Sequence, residues 1–142
     1  MGWKKWSRWN NWCEVSAAIS AAPSQPGVYI IRHAPGGKPQ PICRAGGEDP
    51  DGIIYVGTSD NLHRRLQQFS NASRGSKVGH TGGDTYYEYN YARRFQMTGI
   101  QIGWETYQTT AQSNDAETDI LNDYRKFYLD NPPLNIVAKR KY

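Results

Sequence analysis

Two charged residues, Arg65 and Glu117, have positions in the sequence that suit chemistry on a phosphate. Arg65 lies on a stretch predicted as a helix, at the edge of an apolar stripe of Leu62, Leu66 and Phe69 at spacing i, i+4 and i+7. A guanidinium on such a partly buried face is poorly placed for ordinary solvation and favours an anion. A phosphate suits it best, because its oxygens match the planar fork of the guanidinium.

Glu117 lies on the last predicted helix, which spans roughly residues 115–130. Angular counting at about 100° per residue places its carboxylate near the centre of the apolar face, while Asp119 points to solvent. A capping box is an alternative explanation, with Asn114 as N-cap and Glu117 at N3. That alternative explains the residue type but not the inward direction. The apolar face consists of Ile120, Leu121, Tyr124, Phe127 and Tyr128.

A carboxylate and an arginine that both face one sheet, with Tyr29 and Tyr55 between them, indicate a phosphodiesterase site. Glu117 suits Mg²⁺, because magnesium is held by few carboxylates and keeps most of its water. Arg65 is expected to clamp the scissile phosphate. A tyrosine has an ordinary pKa near 10, so it acts as a base only where a neighbouring cation lowers that value.

The elements that must position these residues form one α/β domain. Residues 27–33 and Ile53–Val56 are predicted as an antiparallel pair of strands joined by a long excursion over Pro35–Asp51, with an extended piece at Ile42–Arg44. Period-2 alternation allows Tyr29 and Tyr55 to share a face as cross-strand neighbours. The first helix begins at Ser59, Asp60 or Asn61 as N-cap, and a third strand covers Ile100–Tyr107.

The N-terminal residues 1–22 are predicted as a Trp-rich helix or arm, since Trp3, Trp6, Trp9 and Trp12 recur at a spacing of three. This spacing spreads the rings over half of a helix circumference. One interpretation packs the helix on the domain. The alternative is an arm that binds a protein partner, a second subunit in a homodimer, or nucleic acid. Residues 138–142 form a basic tail.

Composition favours a soluble protein of the cell interior with a polyanionic partner. The chain has 142 residues, a net charge of +4 and a pI near 9.1, which is compatible with nucleic acid but does not prove it. Cys13 and Cys43 are too few for a metal knuckle and are expected to be free thiols. No apolar run approaches the ~20 residues that span a bilayer, so we expect a cytoplasmic protein with no membrane association.

The ordered set of motifs resembles the GIY-YIG nuclease family. Gly27-Val28-Tyr29 and Tyr55-Val56-Gly57 match the two tripeptides of the family name, and Arg65, Glu117 and Asn135 follow in order. The resemblance covers roughly residues 23–137. It implies an α+β fold, with a small three-stranded antiparallel sheet flanked by helices, and cleavage of DNA with one divalent cation, Mg²⁺ or Mn²⁺.

Carried over from the family, Tyr29 is the expected general base and Tyr55 a second phenol that orients water or phosphate. The resemblance also makes Arg65 the phosphate clamp, Glu117 the metal ligand and Asn135 a brace. Many relatives have His or Tyr one helical turn after the arginine, where this chain has Phe69. His80 is expected to fill that gap from the following loop, although a surface position is the alternative.

The stretch from Arg74 to Arg94 is the expected nucleic-acid surface, because cations follow phosphates and tyrosines stack on bases. The alternative is a solvated loop followed by a tyrosine-rich core element. Taken together, the sequence predicts a metal-dependent DNA endonuclease, and the alternative is a nucleic-acid-binding module of the same fold with little or no turnover. The predicted contact residues are Arg64, Arg74, Lys77, Tyr86, Arg93 and Arg94.

Overall fold

A computed structural model describes residues 2–136, so the predicted basic tail at 138–142 lies outside the described residues. Within this range a four-stranded sheet is the centre of the fold, and helices cover both of its faces. The strands are β1 (Cys13–Glu14), β2 (Gly27–His33), β3 (Ile42–Arg44), β4 (Gly47–Asp49), β5 (Ile53–Ser59) and β6 (Ile100–Thr106), and the α-helices are α1 (Val15–Ala21), α2 (Leu62–Ser73), α3 (Thr81–Glu88) and α4 (Thr110–Tyr128).

The main sheet has the order β1-β6-β2-β5 with every pairing antiparallel. The three predicted long strands are confirmed as β2, β5 and β6. The prediction of three strands was one short, because the two-residue strand β1 adds to the outer edge of β6. The excursion between β2 and β5 forms its own small sheet from β3 and β4, and β3 coincides with the predicted extended piece.

Alternation along β2 divides the core into two layers, because successive side chains of a strand point to opposite faces. Tyr29 and Ile31 belong to the layer covered by α1 and α2. Val28 and Ile30 belong to the layer covered by α4 and the N-terminal segment. The strand β5 lies at the open edge of the sheet, next to α4.

Helix α4 begins five residues earlier than the sequence predicts. Thr109 is its N-cap, and a capping box links the Thr109 side chain to Gln112. The alternative of a capping box between Asn114 and Glu117 is therefore excluded, and Glu117 lies two turns inside the helix. Capping does not explain a carboxylate there. The helix ends at Leu129, which adopts a left-handed backbone conformation with φ of 55°.

The predicted N-terminal helix over residues 1–22 is present only at Val15–Ala21, which form α1, and the prediction is wrong for the residues before them. The chain has a short 3₁₀ segment at Gly2–Arg8 before β1 and α1. The ring of Trp6 is buried in the α4 layer of the core, and Trp9 and Trp12 pack against the same layer. These three rings are therefore part of the domain and do not form a projecting arm. The side chain of Trp3 lies outside what the structure describes. No helix among residues 2–136 is long and apolar enough to cross a membrane.

Candidate active site

The two tyrosines of the tripeptide motifs meet on one face of the sheet. Tyr29 pairs with Gly57 across the β2–β5 ladder and Tyr55 pairs with Ile31, so the phenols are diagonal neighbours rather than directly opposite. Their ring centroids are 6.0 Å apart. A Cβ at Gly57 would lie 2.5 Å from the Tyr29 phenol oxygen. The glycine of the second motif therefore leaves the space that the Tyr29 ring occupies.

His80 joins this pair from the N-terminus of α3. It is fully buried, its Nδ1 accepts the backbone N–H of Gly83 at 3.1 Å, and its Nε2 lies 2.7 Å from the Tyr29 phenol oxygen. Burial, reinforced by the positive charge of Arg65, lowers the pKa of His80 from 6.5 to about 3. The imidazole is therefore neutral near pH 7. Since Nδ1 accepts a hydrogen bond, the ring proton is assigned to Nε2, which donates to Tyr29.

Phe69 forms the wall behind this histidine. Its ring meets the His80 imidazole edge to face, with centroids 5.4 Å apart. Two glycines at the start of α3 allow this helix to approach β5 and α2 closely. A Cβ at Gly82 would lie 2.9 Å from the Tyr55 ring, and a Cβ at Gly83 would lie 2.6 Å from the Cβ of Ala72. The polar group beside Tyr29 is therefore His80, at the start of α3. The turn of α2 that follows Arg65 supplies only the phenyl ring of Phe69.

Arg65 is half-buried next to the phenols. Its Nη1 donates to Gln68 at 2.9 Å, and among residues 2–136 it has no carboxylate within ion-pair distance. Burial raises the pKa of Tyr29 well above its ordinary value of 10, with a smaller rise from Tyr55. Arg65 opposes that rise through its charge and a side-chain hydrogen bond. The guanidinium therefore favours the phenolate form of Tyr29.

Glu117 is half-buried, and no hydrogen bond or ion pair holds its carboxylate within the described part of the chain. Burial raises its pKa, and the charge of Arg65 partly offsets that rise. Its negative charge in turn raises the pKa of Tyr29 and of Tyr55. Both charged residues therefore act electrostatically on both phenols.

Two hydroxyl groups fix α4 against the sheet one turn before Glu117. The buried Ser113 has its Oγ 3.1 Å from the Oγ1 of Thr58, which also lies 3.2 Å from the carbonyl oxygen of Gly27. Thr58 directly follows the second motif and Gly27 begins the first. This contact was missed at the sequence level. The available signal was the i−4 spacing of Ser113 from Glu117, which places both side chains on one face of the helix.

Asn135 occupies a different place from the charged pair, on the outer edge of β5. Its Oδ1 accepts the Val56 N–H and its Nδ2 donates to the Val56 carbonyl, both at 2.9 Å. The backbone N–H of Leu134 donates to the Ile54 carbonyl at 2.8 Å. The side-chain amide thus replaces a neighbouring strand at the open edge, and the tyrosine strand is held from both sides.

Comparison with known proteins now decides the family. The sequence model of the GIY-YIG catalytic domain matches residues 25–130 of this chain. The chain belongs to the GIY-YIG family. No curated protein sequence matches it.

Solved structures agree on the fold. A point mutant of the GIY-YIG N-terminal endonuclease domain of UvrC from Thermotoga maritima, bound to its catalytic divalent cation, aligns with a TM-score of 0.51 at 16% identity, over 87% of this chain and 96% of that one. The same domain bound to magnesium aligns with a TM-score of 0.50 at 16% identity, over 86% and 96%. At this identity the likeness establishes the GIY-YIG fold alone.

The donor set of this GIY-YIG domain fits a lightly coordinated divalent cation. Residues 2–136 contain no cluster of three or more His, Cys, Asp or Glu side chains that would form a closed metal cage. A single free carboxylate at Glu117, with the remaining positions left to water and phosphate, matches the preference of Mg²⁺. The residues present therefore fit the cofactor that the family implies.

Of the six residues predicted to contact nucleic acid, one is buried and five are exposed. Tyr86 is buried and its hydroxyl donates to the Phe95 carbonyl at 2.7 Å, so its assignment as a DNA contact is wrong and the core alternative holds. Arg64 is exposed, but it pairs with Asp60 at 2.7 Å. The other exposed cations lie on two surfaces, at the end of α2 and beyond α3. They are Arg74, Lys77, Arg93 and Arg94.

Proposed function

We propose that this GIY-YIG domain is a metal-dependent endonuclease that hydrolyses phosphodiester bonds in DNA. The observation that carries the proposal is the pair of partly buried, unpaired charges at Arg65 and Glu117, which act on the same two phenols. Charged groups that are fully removed from water are almost always paired, and a partly buried charge without a partner is stabilised by an ion of opposite charge. Here the missing partners have the charges of a phosphate and a divalent cation.

Each residue then has a distinct role at the phosphate. Arg65 binds the non-bridging oxygens through its fork and stabilises the charge that develops during attack. Glu117 would hold Mg²⁺ or Mn²⁺, and the cation would supply charge neutralisation and an acidified water ligand. Tyr55 orients the phosphate or the attacking water from the neighbouring strand position.

Tyr29 accepts a proton from the attacking water, whose oxygen bonds to phosphorus while the bond from phosphorus to the 3′-oxygen breaks. One product then carries a 5′-phosphate, and the departing 3′-oxygen of the other takes a proton from solvent to become a hydroxyl group. The Nε2–H of His80 and the guanidinium of Arg65 both stabilise the Tyr29 phenolate. With Arg65 already acting on it, the pKa of Tyr29 still lies well above 10 because of burial, so the phenol would serve as a base only when a bound divalent cation lowers that pKa further. His80 thus acts as a neutral donor, and it does not itself remove the proton.

Nicking of supercoiled plasmid with Mg²⁺ or Mn²⁺, against a chelator control, tests the proposal. Arg65→Ala and Glu117→Gln should each lower the single-turnover rate by about 10² or more, the usual effect of removing a group that stabilises transition-state charge. Arg125→Ala and Asp119→Asn are matched controls on exposed positions of α4 and should cut like wild type. Circular dichroism checks that every variant is folded. If both site variants cut at the wild-type rate, the assignment is wrong.

Phe69 supports one second candidate, a DNA-binding module without turnover, because its phenyl ring carries no proton. In that case wild type would bind DNA with a steep salt dependence and never cut it, at any concentration of divalent cation. The contact between His80 and Tyr29 favours the nuclease, since it gives the general base a polar partner despite the phenylalanine.

A further inference from the structure

A second surface, outside the site of the charged pair, combines arginines with aromatic rings, of which Tyr89 is exposed. It is a groove of about 500 Å³ beyond the C-terminus of α3, and we call it the arginine–aromatic groove. This volume lies within the roughly 300–1,000 Å³ range of ligand pockets. The lining residues on which the argument depends are Arg44, Tyr89, Tyr91, Arg93, Arg94 and Phe95.

The aromatic side of this groove offers ring faces to a ligand. Tyr89 is the C-cap of α3 and is 63% exposed. Asn90 then adopts a left-handed conformation with φ of 51°, and the chain turns back so that Tyr91 lines the same groove. The Tyr91 ring lies almost parallel to that of Phe95, with an interplanar angle of 6° and centroids 6.2 Å apart. Phe95 is itself buried and supports Tyr91 from the core, so the rings that the groove offers to the bases of unpaired nucleic acid are those of Tyr89 and the partly buried Tyr91.

Two of the three arginines on the cationic side of the groove have no carboxylate partner among residues 2–136. Arg93 and Arg94 are exposed, and neither has an ion pair within residues 2–136. Arg94 lies over the Phe95 ring at 4.8 Å. Arg44 pairs with Asp130 through Nη2, but its Nε is buried without a hydrogen-bond acceptor. Arginine next to an aromatic face is the combination that follows a nucleotide backbone while the bases stack.

The groove is joined to the proposed active site by a single short helix. α3 begins beside His80 and ends at Tyr89, and its eight residues span about 12 Å at 1.5 Å each. The two places are also linked along the edge of β5. The Tyr91 hydroxyl reaches the Pro133 carbonyl at 3.5 Å, two residues before the Asn135 that holds Val56. The span of α3, about 12 Å, corresponds to about three to four nucleotides at 3.4 Å per step of B-DNA.

We propose that the arginine–aromatic groove binds an unpaired segment of DNA that flanks the cleavage site. A continuous duplex hides its base faces within the stack, so a groove that presents the exposed ring of Tyr89 and the partly buried ring of Tyr91 selects a single-stranded end, a flap or a branch. The position of this binding site relative to the cut rests on the proposed nuclease function. The domain would therefore cleave duplex DNA about three to four nucleotides from the point where pairing ends.

Binding without a divalent cation separates this proposal from the nuclease proposal. Fluorescence anisotropy with the full chain in a chelator compares a blunt duplex with the same duplex carrying a single-stranded flap. We expect tighter binding of the flap, with Tyr89→Ala and Arg93→Gln each weakening that preference about tenfold, as one lost base–aromatic stack does. Tyr87→Ala and Arg8→Gln are controls. Tyr87 is a 54% exposed tyrosine outside the groove, and Arg8 is an exposed arginine of the N-terminal segment.

Equal affinity of wild type for the blunt and flapped duplexes would overturn the groove proposal, whether or not the protein cuts DNA. A flap preference that Tyr89→Ala and Tyr87→Ala reduce equally would overturn it as well. A flap preference lost only in the groove variants supports it, even if wild type never cuts. Where cleavage occurs, moving the junction along the duplex should move the cut with it at a constant offset, and a cut independent of the junction would contradict the proposed position.

Discussion

His80 should make the folded protein sensitive to mild acid. The imidazole is fully buried and bonded to Tyr29, and its pKa is lowered to about 3 from 6.5. Between those two values the unfolded chain binds a proton that the folded protein does not. The free energy of unfolding must therefore fall as the pH falls below 6.5, and it is unaffected by this group above that value.

The expected size follows from the linkage relation. A shift of one pKa unit is equivalent to about 1.4 kcal/mol, so His80 should cost about 2 kcal/mol of stability between pH 8 and pH 5. Other groups titrate in the same region. The lowered pKa of His33 acts in the same direction, whereas the raised pKa values of Asp49 and Glu117 favour the folded state at low pH. A variant of His80 is therefore needed to isolate its part.

Urea denaturation at pH 8, 7, 6 and 5 provides the measurement. His80→Asn keeps an N-cap side chain for α3 but cannot take up a proton, so its stability should depend less on pH, by about 2 kcal/mol over the range. NMR titration of the imidazole signals gives an independent check, since the protein has only three histidines. A His80 signal that titrates between pH 6 and 7, or an unchanged slope in His80→Asn, would refute the reasoning.

Three substitutions around the site have expected costs that denaturation and single-turnover cleavage can measure together. Gly57→Ala places a methyl group 2.5 Å from the Tyr29 phenol oxygen and should lower the free energy of unfolding by about 1–3 kcal/mol. Its cleavage rate should fall by more than this loss of stability alone would cause. A wild-type cleavage rate in this variant would show that the position of Tyr29 is not critical. Ser113→Ala should cost about 0.5–1.5 kcal/mol and lower the rate while the affinity for DNA stays unchanged, which an equal loss of both would contradict. Asn135→Ala removes two hydrogen bonds to Val56 and should cost about 1–3 kcal/mol, and a variant as stable as wild type would show that the edge needs no brace.

Side-chain direction was the part of the site that sequence periodicity could predict. The helical repeat placed Arg65 at the edge of a buried stripe and Glu117 on an apolar face, and in the structure both are half-buried and both charges influence the same phenols. The family resemblance and the predicted α+β fold are confirmed by the GIY-YIG match and the antiparallel sheet. The catalytic role of each residue stays a prediction.

Boundaries and long-range contacts could not be predicted in the same way. The repeat of α4 does not reveal that Thr109 caps it, because the residues up to Asn114 carry no apolar stripe. The burial of Trp6 depends on packing between the two ends of the chain, which local spacing does not encode. Tyr86 was misassigned for a related reason, since one tyrosine of a tyrosine-rich stretch points inward and bonds the Phe95 carbonyl.

A double-mutant cycle on cleavage tests the central claim most directly, namely that Arg65 and Glu117 serve one phosphate and one cation. Single-turnover rates of Arg65→Ala, Glu117→Gln and the double variant would be compared on one DNA substrate at saturating Mg²⁺. Groups that act as a unit are strongly non-additive, so the double variant should be about as slow as the slower single variant. Rate losses that multiply in the double variant would mean that the two residues act independently and would contradict the account.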